Sequence, residues 1–149
     1  AGNAPLEAFL YNEKTWDFQQ SLGQQLTLWL RVPSSYIAGR QVKMYSELFS
    51  PSAADQWKMQ ATTTLVRKNN DAITSVANQN VANSGDFTNA VANRIREATI
   101  NLSSATGTIN SVAISAGDIL KVELTRIAPA GTEDTADISF IPSSTEVTF

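Results

Sequence analysis

The chain has 149 residues, a formal net charge of −3, no cysteine and no histidine. That length suits one domain with a sizeable core, and the missing residue types exclude disulfides, thiolate metal sites and mechanisms that rely on an imidazole base. Acids and bases are scattered rather than gathered into a basic face, and no apolar run nears the ~20 residues that span a bilayer, so neither a nucleic-acid nor a membrane partner is expected.

Ala1–Pro5 is small and polar and opens an N-terminal arm over residues 1–11. AGNAPLEAF has neither a charged segment nor an apolar core, so no secretory leader is expected. A short strand is predicted over Leu6–Tyr11. Thr15–Gln19 then alternates Trp16 and Phe18 against polar neighbours, before a turn at Ser21-Leu22-Gly23. Gln25–Val32 places Leu26, Leu28 and Leu30 on one face, with Thr27 and Trp29 opposite, because successive strand side chains alternate. Pro33 has no N–H to give a ladder and ends that strand. Ser34–Gly39 reads as a loop plugged by Tyr36.

Arg40–Phe49 is the next strand, with Val42, Met44 and Leu48 in register, and Ser50-Pro51-Ser52 breaks it. Gln56–Lys68 is the longest alternating run. Trp57, Met59, Ala61, Thr63 and Leu65 face one way, while Lys58, Gln60, Thr62 and Thr64 face the other. Such β-branched residues suit a pleated surface. Asn69-Asn70-Asp71 supplies a turn, and Ile73–Val76 is the expected returning strand. Asn78–Asn93, with five asparagines, reads as a long loop, with a helix over Phe87–Glu97 as the competing reading of its second half.

Arg96–Leu102 puts Ala98, Ile100 and Leu102 on one face, and Thr108–Ile114 follows. The turn Ala116-Gly117-Asp118 opens Ile119–Ile127, where Leu120, Val122 and Leu124 alternate with Lys121, Glu123 and Thr125. Pro129–Asp137 is a loop, Asp137–Pro142 a strand carrying Ile138 and Phe140, and Ser143–Phe149 a final strand over residues 143–149. Short strands between turn signals predict an all-β chain folded as a two-sheet antiparallel β-sandwich. With no internal repeat and no linker, residues 1–149 form a single domain.

Three stretches resemble a phage virion protein of jelly-roll type. They are the turn Val32-Pro33-Ser34-Ser35-Tyr36-Ile37-Ala38-Gly39 after an aromatic–aliphatic strand, the Trp57-led alternating strand, and Ala116-Gly117-Asp118 with a strand running to Arg126. An acidic loop, Glu133-Asp134, and a last strand to Phe149 complete the likeness, which covers roughly residues 25–149. The resemblance implies a jelly-roll-like sandwich used in many copies on a virion surface or tail. The Asn-rich piece is longer than the turn such proteins show there.

Glu133, Asp134 and Asp137 offer oxygens to a calcium ion, but their spacing matches no calcium loop, and an acidic surface turn explains them as well. No cofactor and no catalytic residue is assigned, and the chain is read as not an enzyme. Trp29 lies opposite the leucine face and is the leading interface candidate. Tyr36, Tyr45, Phe87, Arg94, Arg96 and Phe149 join it. Arg67, Lys68, Arg94 and Arg96 offer a basic patch for an acidic partner, with solvated strand ends as the plainer alternative.

The expectation is a capsid decoration or cement protein on the virion's capsid surface. Its partners would be the major capsid protein and copies of itself, forming a homo-oligomer at a two- or three-fold position. The alternative is a tail-fibre or receptor-binding module that holds host surface glycan, for which a groove lined by Trp29, Tyr36 or Tyr45 would be the mark.

Overall fold

A computed structural model describes residues 6–10, 13–20, 23–88 and 90–149. The arm expected at residues 1–5 and two of the three residues of the expected Ser21-Leu22-Gly23 turn lie outside them. The described residues hold strands and turns and no helix. The strands are β1 (Leu6–Leu10), β2 (Glu13–Phe18), β3 (Gln25–Arg31), β4 (Lys43–Phe49), β5 (Gln56–Val66) and β6 (Gln79–Asn83). They continue with β7 (Phe87–Thr88), β8 (Arg96–Asn101), β9 (Thr108–Ile109), β10 (Val112–Ala113), β11 (Ile119–Ile127) and β12 (Ile138–Thr148).

Two antiparallel sheets carry the long strands, in the orders β1-β2-β12-β4-β8 and β3-β11-β5-β6, while β7 adds to β5 and β9–β10 form a small hairpin. The pairing is nested. With β1, β7, β9 and β10 set aside, the first strand pairs with the last, β2 with β12, and the second with the second-last, β3 with β11. Further inward come β4 with β8 and β5 with β6. The first and third pairs make one sheet, and the other two make its partner.

Alternation decides which side of each strand is dry. Met44 and Leu48 of β4, Ala98 and Ile100 of β8, and Phe18 and Phe140 of β2 and β12 meet Trp57, Met59 and Leu65 of β5 and Leu120, Val122 and Leu124 of β11 in one buried cluster. The inward faces of both sheets thus share a core, the arrangement of a sandwich. Phe87 closes one margin, its ring stacked on Trp57 at 4.5 Å between centroids and 17° between planes.

Four segments depart from expectation, the first being Thr108–Ile114, which is not one strand but the β9–β10 hairpin turned at Asn110-Ser111. Ile73–Val76 forms no strand; Ile73 and Val76 are more than half exposed, at 61% and 62%, in a loop. The returning strand is β6, inside the Asn-rich stretch, where Gln79–Asn83 registers against Thr64–Gln60. As an edge strand with little to bury, β6 needs few apolar residues and so lacks the usual alternation. The Asn-rich stretch is therefore neither a long loop nor the start of a helix over Phe87–Glu97. Finally, Asp137–Pro142 and Ser143–Phe149 join as the single strand β12. Its register with β4 shifts between Ile141 and Glu146, and its pairing with β2 stops at Phe140. Pro142 falls in that gap, where its missing N–H interrupts no ladder.

Candidate functional site

Each end of the sandwich buries charged side chains, Arg126 and Asp134 at one and Asp118 at the other. On β11 the even positions face the core, and Arg126 follows Leu120, Val122 and Leu124 inward, only 4% exposed. Its Nη1 donates to the carbonyls of Ala136 at 2.7 Å and Phe18 at 3.3 Å, and Nη2 donates to the carbonyl of Asp134. Nε lies 3.6 Å from Glu133 Oε1. Burial pulls the Arg126 pKa below its ordinary value, and the negative charges of Glu133, Asp134 and Asp137 push it back up.

Asp134 is fully buried; it accepts from the Ala136 N–H at 2.9 Å and from the Ser50 hydroxyl. The acidic loop is thus no surface turn. It folds inward over a cation that belongs to the chain itself, and its carboxylates are directed to Arg126, Ser50 and the main chain rather than to an open ion site. Among the described residues, no three acidic side chains gather as a metal cluster.

At the opposite end Asp118, 5% exposed, closes the Ala116-Gly117-Asp118 turn. Its Oδ1 accepts from the Lys68 N–H at 2.8 Å and its Oδ2 from the Ser115 N–H at 2.9 Å. The Asp118 carbonyl accepts from the Val32 N–H at 2.8 Å, and the Gly117 N–H donates to the Val32 carbonyl at 2.9 Å. Gly117 sits at φ +88°, a backbone conformation that glycine adopts without a steric penalty. The carboxylate therefore ties the end of β5 to the turn that opens β11, and the main chain of the same turn holds the end of β3.

Beside this knot a cleft of about 390 Å³ opens, lined by Arg31, Val32, Ser34, Lys68, Ala116 and Gly117. Val32 is wholly buried beneath the lining. Elsewhere Lys58 pairs with Asp86 at 3.2 Å, Arg67 with Asp71 at 2.8 Å and Lys121 with Glu123 at 2.6 Å, while Arg40, Lys43, Arg94 and Arg96 meet no carboxylate among the described residues. Among the described residues no acceptor or carboxylate meets the side chains of Arg31 and Lys68. The odd positions of β3 face outward, so Trp29, 49% exposed, shares a face with Arg31 and stands across from Lys121 in the ladder.

The other expected site residues do not converge on this place. Tyr36 donates its hydroxyl to the Arg40 carbonyl at 2.7 Å, and desolvation raises its pKa. It packs so close to Gly107 that a Cβ there would lie 2.5 Å from the phenol oxygen. Tyr36 is thus a plug, as its loop suggested. Tyr45 is half-buried on the outer side of the other sheet, between Thr99 of β8 and Glu146 of β12. Phe87 is occupied by Trp57, and Phe149 packs on the core margin.

Arg96 donates to the Thr88 carbonyl at 3.0 Å, near exposed Arg94. Arg67 and Lys68 lie just past the far end of β5, a strand of 11 residues and so ~36 Å long. The four cations form no common patch. Sequence reading did not single out Arg31; its spacing of two from Trp29 was the available signal, but its meeting with Lys68 depends on the β3–β11–β5 register.

No family model, curated protein or solved structure matches this chain.

Proposed function

We propose that the protein is a non-enzymatic virion component, a decoration or cement protein that binds a phage head and meets both the major capsid protein and copies of itself. The supporting observation is the nested pairing of β2–β12, β3–β11, β4–β8 and β5–β6. That order is the one a jelly roll has, an architecture that recurs in viral capsid and lectin domains. The support is fold-level analogy joined to the resemblance of the turns. In this reading the work is geometric: rigid sandwiches bridge neighbouring subunits, and many weak contacts add through multivalency.

Particles purified from the culture that carries the gene provide the test. They should contain the protein at a fixed ratio to the major capsid protein, and stripped heads should take it back saturably. Its absence from particles would overturn the reading. The second reading, a receptor-binding module for host glycan, is favoured by one observation, the exposed Trp29 on the face that also carries Arg31 of the cation-lined cleft. Tyr36 and Tyr45 make no groove with it.

A further inference from the structure

We propose that the cleft at the Asp118 end, together with Trp29, is a binding site for an acidic saccharide, a sugar bearing a carboxylate or sulfate. The site stands apart from the head-binding reading, since a free and a particle-bound protein would carry it alike. Loss of saccharide binding and absence from particles are therefore separate results.

The argument begins with charge. Arg31 and Lys68 line one cleft together without a counter-charge of their own; Arg40, Lys43, Arg94 and Arg96 also meet no carboxylate among the described residues, but none of them lines this cleft. Asp118 does not fill that role: it is buried and its two oxygens accept the main-chain N–H groups of Lys68 and Ser115. An anion between the guanidinium and the ammonium supplies the missing partner, with the planar fork of Arg31 suited to a carboxylate or sulfate edge.

The body of the ligand follows from the neighbours. Trp29 lies two residues from Arg31 on the same face, ~7 Å along the strand, which is the scale of one sugar ring. An indole face half open to water is a stacking platform for the C–H side of a ring, while Ser34 offers a hydroxyl to ring substituents. Across the ladder from Trp29, Lys121 adds a partly exposed polar group that is already paired with Glu123. A cleft of about 390 Å³ accommodates one or two rings.

Titration calorimetry on the full chain tests this with matched oligosaccharides: hexuronate, sialylated and sulfated forms beside their neutral counterparts. An acidic peptide of equal charge is the control. The acidic sugars should bind at least about tenfold more tightly than the neutral ones, with affinity falling as salt rises. Arg31→Gln and Lys68→Gln should each weaken binding about tenfold, Trp29→Ala should weaken acidic and neutral forms alike, and Arg94→Gln at the other end should change nothing. A preserved thermal midpoint shows that each variant is folded. No saccharide binding, equal binding of neutral sugars, stronger binding of the peptide, or indifference to the Arg31 and Lys68 changes would overturn the proposal.

Discussion

Arg126 occupies a core-facing position on a strand whose other inward residues are leucine and valine. Three carbonyls from two separate segments converge on its guanidinium. Removing it leaves those carbonyls and Glu133 without their cation in a dry place. Arg126→Ala should cost about 3–5 kcal/mol in urea unfolding, and a loss below about 1 kcal/mol would show that the loop repacks. Alternation already placed Arg126 inside, since it is even-numbered like Leu120; its partners could not be read, because the loop that reaches it comes later in the chain. Thr63 is the converse case. It lies on the apolar side of β5, as its spacing indicates, and its buried hydroxyl meets no partner among the described residues. Thr63→Val keeps the shape and removes that unsatisfied group, so it should raise stability by about 1 kcal/mol in the same assay.

The strands that were legible are those with one wet and one dry side: β3, β4, β5, β8 and β11 all sit within two or three residues of the expected spans. Alternation is informative only where burial differs between faces. β6, an edge strand of Gln, Asn, Val and Ala, alternates only between exposed and half-buried positions and carries Val81 on the exposed side, so its contrast is weak, and the nearby apolar pair Ile73 and Val76 reads more like a strand. β12 was divided because Pro142 and the serines after it read as a break, although the chain continues straight through an interrupted ladder. The β9–β10 hairpin carries a testable detail. Its two turn residues, Asn110 and Ser111, sit at φ 49° and 64°. Asparagine tolerates that conformation, serine less so, and glycine best. Ser111→Gly should therefore stabilise the protein by about 0.5–1 kcal/mol, read as a raised thermal midpoint.

At the scale of the whole molecule, the two ends differ in kind. One is sealed over Arg126 by residues 129–137. The other is fastened by Asp118 yet leaves Arg31, Lys68 and Trp29 facing water. Composition pointed to contact surfaces rather than a reaction centre, and the aromatic that alternation singled out, Trp29, does stand exposed. The cleft beside it was illegible, because Arg31 and Lys68 come together only through a register that spans three strands.

The nested order also sets a timetable for biosynthesis. As the chain leaves the ribosome, β5 and β6 can close at once as a local hairpin, but β3 waits for β11 and β2 waits for the last strand to emerge. Until then, both early strands offer open ladders to any neighbouring nascent chain. A product ending before Ile138 deprives β2 and β4 of the strand between them, and it should collect in the insoluble fraction on expression, while the full chain stays in the supernatant.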